Sequence, residues 1–401
     1  MGCQWVFKHK RDGTFRSRLV GKGYTQVPGI DFTDSFAPVI HDISLRTLLV
    51  IYLQHDDWEM TEFDVETAFL YGKLDEPLYM KLPDGFLNYS DQHKQFEGYQ
   101  QKDLVLKLHK TIYGVVQAAR AFNASFNTVL ETKLKFVRSK ADPCVYMRKD
   151  TNGTVMLLLY VDDGLCIGNK QAIKHATRDL QLHFDITEDE GHGYTGSTFI
   201  PTSKGIIIHQ STLIKALMKS RPKPTGKRFL TPAPPGSILH KDTGTLLNEK
   251  EMKAYRSDTG EALYFVKISR PDIANATREL SKFMDRATDE HLLHLSRLMD
   301  YILTTHKKGL LIKKSAPGPL KIIAYCDSNW VSDKDTRRSI TGSLIFVNDS
   351  LVAWKSKMQD SVSLSSSEAE YIAMSMCLME MMFIYHLCES LQLVIELPMI
   401  I

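Results

Sequence analysis

The sequence predicts an α+β chain, and three observations carry that reading. An apolar run from Val155 to Val161 stops on two adjacent carboxylates, Asp162 and Asp163, and resumes after Gly164 as far as Gly168. The run is too short to cross a bilayer, and Asp-Gly between two apolar runs signals a hairpin, so it reads as strand, turn, strand. Elsewhere apolar residues recur at helical spacing, as in residues 118–134, 272–284 and 289–303. Between Lys219 and Leu246 the composition turns to Arg-Pro-Lys-Pro-Thr-Gly and Thr-Pro-Ala-Pro-Pro-Gly, which no helix or central strand can hold, so a domain boundary is expected there. With 401 residues, 43% apolar and 24% charged, the chain can bury two or three cores and is no disordered tail.

A net charge of +3 excludes a strong global field, so any nucleic-acid affinity must come from local patches. One such patch is Lys8, Lys10, Arg11, Arg16, Arg18 and Lys22, facing only Asp12 among acids. The cysteines at 3, 144, 166, 326, 377 and 388 form no C-x-x-C pair and have no histidine at zinc spacing, which points to free thiols and excludes a zinc knuckle. No signal peptide or transmembrane run is read, and Val6 stands where myristoylation wants Ser or Thr. A cytoplasmic or nuclear protein without a membrane partner is expected.

In chain order, residues 4 to 10 and Phe15 to Val20 read as strands joined by a turn at Arg11-Asp12-Gly13-Thr14. By the period of two, Arg16, Arg18, Val20 and Lys22 share a face that suits either a charge-protected edge or phosphate contact. A helix is expected from Ser44 to Asp56 behind a Ser44 cap, with Leu45, Leu48, Leu49, Tyr52 and Leu53 inward. Trp58 to Val65 reads as a strand delivering Asp64 at its end, and Lys81 to Lys102 as an exposed excursion. Residues 118–134 offer Ala119, Phe122, Phe126, Val129 and Leu130 to a core. The two later helices offer Ile273, Ala276, Leu280 and Phe283, then Leu292, Leu295, Met299 and Ile302. Strands follow at Ile322 to Asp327, Ser343 to Val347 and Val352 to Lys355. The last helix opens on a Ser365–Glu368 capping box that leaves Glu370 free to face Asp327.

Two carboxylates about 4 Å apart repel by about 4 kcal/mol at an effective dielectric near 20, so Asp162 and Asp163 on a rigid turn invite a divalent cation. Taken alone, Asp-Asp-Gly is also a turn chosen for its backbone angles, and Asp64 also a helix cap.

The surroundings decide between these. Tyr160-Val-Asp-Asp163 is preceded by Phe63-Asp64-Val-Glu-Thr-Ala-Phe69-Leu-Tyr-Gly72 and Tyr113-Gly-Val-Val-Gln117-Ala-Ala-Arg120-Ala-Phe122. Lys140-Ala-Asp-Pro-Cys144 also precedes it, and Ser269-Arg-Pro-Asp-Ile273 and Ala324-Tyr-Cys-Asp-Ser328 follow. In number, order and spacing these motifs make the chain resemble, over nearly its whole length, the reverse transcriptase region of the Pol polyprotein of copia-type (Pseudoviridae) long-terminal-repeat retrotransposons. The resemblance implies a right-hand polymerase, with fingers and a palm bearing the catalytic β-hairpin in residues 1–220. A Pro-rich linker at 221–248, thumb or connection helices at 249–318 and a partial ribonuclease H-like α/β domain at 319–401 would follow.

It further implies RNA-directed DNA synthesis by two-metal nucleotidyl transfer to a primer 3′-hydroxyl, using Mg2+ or Mn2+. The partners implied are an RNA template, a DNA or tRNA primer and deoxynucleoside triphosphates, with a virus-like particle housing an intact element. Asp64, Asp162 and Asp163 take the catalytic and metal roles. Arg18, Lys22, Gln117 and Arg120 take nucleotide or template contacts, and the Phe69 ring fills the volume a 2′-hydroxyl would need. Asp327 and Glu370 match the first two ribonuclease H carboxylates. The third belongs on a strand beyond the last helix, and since the sequence stops at Ile401, no ribonuclease H activity is expected and a sheet edge is expected bare. The chain also departs from the family: Val116 and Ala119 replace a lysine and a proline, Phe122 a tryptophan, residues 190–199 differ, Asp258-Thr-Gly-Glu261 interrupts an apolar helix, and the usual amino-terminal lead-in is missing. A second reading therefore stays open, a remnant that binds nucleic acid through its basic hairpin without polymerising.

Overall fold

The computed structural model describes residues 1–9, 13–88, 98–221 and 229–401. Lys10 of the first expected strand, Arg11 and Asp12 of the expected turn, residues 89–97 of the excursion and 222–228 of the linker lie outside them. The elements run β1 (Cys3–His9), β2 (Phe15–Gly21), α1 (Asp42–Tyr52), β3 (Trp58–Val65), β4 (Lys73–Lys81), β5 (Val105–Lys110), α2 (Ala118–Thr128), β6 (Val137–Arg138), β7 (Val145–Asp150), β8 (Gly153–Tyr160), β9 (Asp163–Asn169), α3 (Lys170–Gln181), β10 (Ile186–Glu190), β11 (Gly193–Tyr194), β12 (Ser197–Thr202), β13 (Gly205–His209), α4 (Ser211–Ser220), α5 (Glu249–Ile268), α6 (Ala274–Ser281), α7 (Asp289–Thr304), β14 (Leu310–Lys313), β15 (Ile322–Asn329), β16 (Ile340–Val347), β17 (Ser350–Met358) and α8 (Ser366–Ser390). They gather into two compact units, one of Met1–Ile40, Phe63–Arg138 and Pro143–Asp189, the other of His41–Glu62, Ser139–Asp142 and Glu190–Ile401. The Pro-rich stretch is not where the units divide, since its described part falls wholly within the second.

The first unit is built on a six-stranded sheet in the order β10-β3-β9-β8-β7-β6. Val155 to Leu159 are all buried, because a strand in the middle of a sheet covered by helices has no solvent face to mark with polar residues. Phe122, Phe126 and Leu130 beside α2 and Ala172, Ile173, Ala176 and Leu180 of α3 close over Phe63, Val65, Leu157, Leu159 and Cys166. The helix expected over 118–134 stops at Thr128 and continues as one π turn, Val129–Lys133, which keeps Leu130 in the core. Ala119 and Val129 are only half-buried.

In the second unit α1 departs from expectation at both ends. Its cap is His41, whose Nδ1 accepts from Ile43 N. Ser44 instead donates its hydroxyl to Asp142 at 2.6 Å, and Asp142 also accepts from His41 N. The helix ends at Tyr52 instead of Asp56, and Ile43 to Ile51 are buried without a break, so no amphipathic stripe survives. Within it Arg46 is enclosed: Nε donates to Val352 O at 2.6 Å, Nη1 to Lys267 O at 3.1 Å, and the guanidinium lies 4.2 Å from the Trp354 ring centroid. Burial pulls its pKa down to about 10, which leaves it charged at neutral pH.

The expected break at Asp258 does not occur. α5 runs unbroken for 20 residues behind an Asn248–Glu251 capping box, with Asp258 paired to Arg221 and with Tyr255, Ala262 and Phe265 in the core. Packing of a long apolar face outweighs three poor helix formers, Asp258, Thr259 and Gly260. α6 begins two residues later than expected, after a 3-10 turn at Pro271–Ile273, and has no side-chain cap, while α7 is capped by Thr288 with His291. Ile273, Ala276, Leu280, Phe283, Leu295, Met299 and Ile302 are buried as expected.

β15, β16 and β17 form an antiparallel sheet, each of the last two longer than the sequence suggested. Ser365 caps α8 by accepting from Glu368 N, but the Glu368 carboxylate takes the amide of Leu364, not that of Ser365. The outer edge of β15, expected bare, carries parallel bridges from Leu320 to Ile395 and from Ile323 to Ile400. α8 also corrects the expectation that no run could cross a membrane, since by length and composition it is apolar enough. Ala369, Ala373, Cys377, Met381, Ile384 and Cys388 recur at helical spacing along its buried face, the pattern of a helix packed on a sheet.

Lys282 and the main-chain and side-chain donors of Thr336 converge on the buried Asp333 carboxylate at 2.7–2.8 Å. Burial alone would raise its pKa, but these hydrogen bonds outweigh burial and hold it at about 2. A depressed carboxyl stabilises the fold above its unfolded value of 3.8, and that contribution is lost as pH falls from there toward 2. Asp333→Asn is therefore expected to lower Tm at pH 7 by about 2–5 °C and to flatten the acid limb of a Tm-against-pH series. Parallel acid limbs in parent and variant would contradict this assignment.

Candidate active site

The site of the first unit is set by a hairpin whose turn is not the one the sequence suggested. Tyr160 pairs with Asp163 and Leu159 with Gly164, so the two loop residues are Val161 and Asp162, and Gly164 lies inside β9. Val161 takes a φ of 59°, the left-handed value that primed hairpin turns require of their first loop position. For a β-branched residue such a conformation costs about 1–3 kcal/mol. Gly164 is needed for space: a Cβ there would land inside the ring of Phe63, which β3 presses onto it. Phe63 immediately precedes Asp64, and Val65 N donates to Asp162 O at 3.0 Å. One packing contact and one hydrogen bond thus hold the end of β3 against the turn.

The result is a group of three carboxylates, Asp64, Asp162 and Asp163, whose ligand atoms lie within 4.8 Å of one another, with Asp162 half-buried and the others exposed. Burial pushes the Asp64 carboxyl above its ordinary range and the charge of Asp162 adds to that, while Arg16 and Arg18 pull the other way. An all-oxygen donor set of this kind suits a hard divalent cation, and neutralising the cluster is the chemistry it asks for. Among the described residues it is the group of three or more acidic, histidine or cysteine ligands close enough to hold one ion.

Arg18 lies over the Tyr113 ring, 4.3 Å from its centroid, and Phe69 meets the same ring edge-on at 4.9 Å. Phe69 is half-buried, and its carbonyl accepts from the Thr111 hydroxyl. Lys22 runs its stem past Gly2, with its charge beside Cys3. Gln117 is buried, accepting from Gln26 and donating to Asp31 O, and Arg120 is held by Asp34 and Asp75 at 3.1 and 2.7 Å. The structure thus gathers Asp64, Asp162 and Asp163, and groups Arg18 with Phe69, but occupies Gln117 and Arg120 with partners of their own. In the second unit Asp327 is exposed on β15, bordering a cleft of about 840 Å³, and Glu370 accepts from Ser328 N at 3.1 Å. Sequence reasoning placed Arg16 on the basic strand face but not near Asp64, which its field reaches, and it gave no role to Phe63, Gly164 or Tyr113.

Residues 1–228 match the family described as reverse transcriptase (RNA-dependent DNA polymerase). The chain is 33% identical over 408 residues to the retrovirus-related Pol polyprotein from transposon RE1 of Arabidopsis thaliana, covering 100% of this chain and 27% of that protein. It is 33% identical over 405 residues to the corresponding polyprotein from transposon TNT 1-94 of Nicotiana tabacum, covering 98% and 29%. The chain therefore spans a little over a quarter of the length of these relatives. A solved foamy viral protease-reverse transcriptase in complex with double-stranded DNA is similar at a TM-score of 0.46 and 12% identity, over 95% of this chain and 56% of that one.

A raised Asp64 carboxyl means that its ionised form weakens the metal-free fold, an effect absent below the unfolded value of 3.8 and growing as pH rises through the folded one. Asp64→Asn is expected to raise the Tm of the metal-free protein at pH 7.5 by roughly 1–3 °C and to leave it unchanged at pH 3.5. Melting curves in chelator at the two pH values check this, and an equal shift at both would remove the electrostatic explanation.

Proposed function

The chain belongs to the reverse transcriptase family of RNA-dependent DNA polymerases, and on that premise we propose that it extends a DNA or tRNA primer along an RNA template from deoxynucleoside triphosphates. The observation that carries this reading is the convergence of Asp64, Asp162 and Asp163 within 4.8 Å at the mouth of a rigid hairpin. The family uses divalent metals, and Mg2+, or Mn2+ in its place, is the ion this donor set fits. Two bound ions would activate the primer 3′-hydroxyl and offset charge on the leaving pyrophosphate.

The protein's own residues supply the rest. Asp64 holds its carboxylate from the end of β3 and Asp162 from the hairpin turn beside it, and Asp163 at the start of β9 completes the negative cluster. Arg16 and Arg18 offer cations to the incoming triphosphate from the β1–β2 hairpin, and arginine's fixed fork suits phosphate oxygens. Phe69, wedged against Tyr113, presents a ring where a ribonucleotide's 2′-hydroxyl would need room.

Primed DNA synthesis on an RNA template, with Mg2+ or Mn2+ and with filter binding run alongside, tests the proposal. Template binding without extension would favour a nucleic-acid-binding remnant. Asp162→Asn is expected to reduce extension by about a thousandfold or more while leaving template-primer binding near the parent level. Unchanged extension in that variant would dismiss the site. Phe69→Val is expected to admit ribonucleotides, raising their kcat/KM relative to deoxyribonucleotides by about tenfold or more. Discrimination as sharp as the parent's would place the gate elsewhere.

A further inference from the structure

Tyr113 has no chemical role in the reading so far, yet three contacts of different kinds meet on it. The Arg18 guanidinium lies over one side of its ring, with Cζ 4.3 Å from the centroid. The Phe69 ring approaches it at 4.9 Å and 67°. Its main-chain carbonyl accepts from Gly21 N at 2.8 Å, and the next carbonyl, Gly114 O, accepts from Gly23 N at 3.0 Å.

The main-chain contacts require their glycines. Gly114 sits at a φ of 84°, and a Cβ there would strike the Gly21 carbonyl and the Val20 side chain. A Cβ on Gly23 would strike the Gly114 carbonyl in turn. The exit of the β1–β2 hairpin is therefore bolted backbone to backbone onto residues 113–114, with no side chain between to act as a spring. The Tyr113 ring then extends this fixed joint toward both the hairpin cation Arg18 and the Phe69 ring.

We propose that Tyr113 is a positioning residue that keeps Arg18 and Phe69 in register, so that phosphate binding and sugar selection are performed by one rigid assembly. A guanidinium held over a ring face by cation–π attraction spends none of its N–H donors on that contact, so they stay available to a phosphate. A ring supported edge-on by another cannot rotate away to make space for a larger sugar. Tyr113 also lies in the field of both charge groups: burial raises its hydroxyl pKa, Arg18 opposes this, and Asp162 adds to it.

The inference rests on the polymerase reading, and the test separates the two. Single-nucleotide incorporation is measured for parent, Tyr113→Phe, Tyr113→Leu and Arg18→Lys with deoxy- and ribonucleoside triphosphates. Leucine preserves apolar bulk but has no face for a cation, so Tyr113→Leu is expected to raise KM for the deoxynucleotide by about tenfold and lower discrimination against the ribonucleotide by a similar factor. Tyr113→Phe, which keeps the ring, is expected to restore both to within about twofold. Should Tyr113→Leu fail to fold, Arg18→Lys reads the same contact from the other side. It keeps the charge, loses the guanidinium's contact with the ring, and is expected to show the same paired change in KM and discrimination. A rise in KM with discrimination unaltered, or a fall in kcat alone, overturns the coupling while the polymerase reading stands. Absence of extension by the parent overturns both.

Discussion

The geometry of the first unit depends on a side chain that is not there. Gly164 leaves a hollow in the middle of β9, and the Phe63 ring fills it from the neighbouring strand. A close-packed interior cannot slide by a fraction of a side chain, so this fit fixes where β3 stops relative to the hairpin. Asp64 follows Phe63, and Asp162 and Asp163 precede Gly164, so the registration of two apolar residues becomes the registration of three carboxylates. Residues with no chemistry of their own set the tolerance of those that have it.

Electrostatics works against this placement. The cluster is repulsive, and the field of Arg16 and Arg18 only partly offsets burial and mutual charge at Asp64. The site is thus assembled by packing against its own charge, which leaves a standing affinity for cations. The β1–β2 hairpin divides its labour by face. Arg16 and Arg18 share one face with Lys8, and Trp5, Phe7 and Phe15 lie exposed on the other by the period of two.

What could be read from the sequence followed locality. The β3 strand with Asp64 near its end, the β8–β9 pair and the apolar spacing of α6 and α7 are decided by neighbours a few residues away. Gly164 was legible as a glycine but not as this glycine, because permissive backbone angles and missing volume leave the same letter. Ser44 looked like a cap until Asp142, 98 residues on, drew off its hydroxyl. Asp258 looked like a helix breaker because Arg221 could not be seen beside it. Gln117 and Arg120 carried the right letters for ligand contact, but Gln26, Asp31, Asp34 and Asp75 meet them across chain distances that no local pattern encodes.

The enclosed Arg46 has a consequence for how the chain is made. Its guanidinium is satisfied by carbonyls of Lys267 and Val352, the latter 306 residues further along. A ribosome adding about 5–20 residues per second would expose Arg46 for tens of seconds before Val352 emerged. During that interval α1, an apolar helix with a cation in its middle, has no finished site to enter. The second unit therefore cannot close as synthesis proceeds, since an early segment must wait for one of the last strands. Long-range closure of this kind is slow and leaves apolar surface open to wrong partners. During synthesis α1 thus stays without its final partners until β17 has emerged.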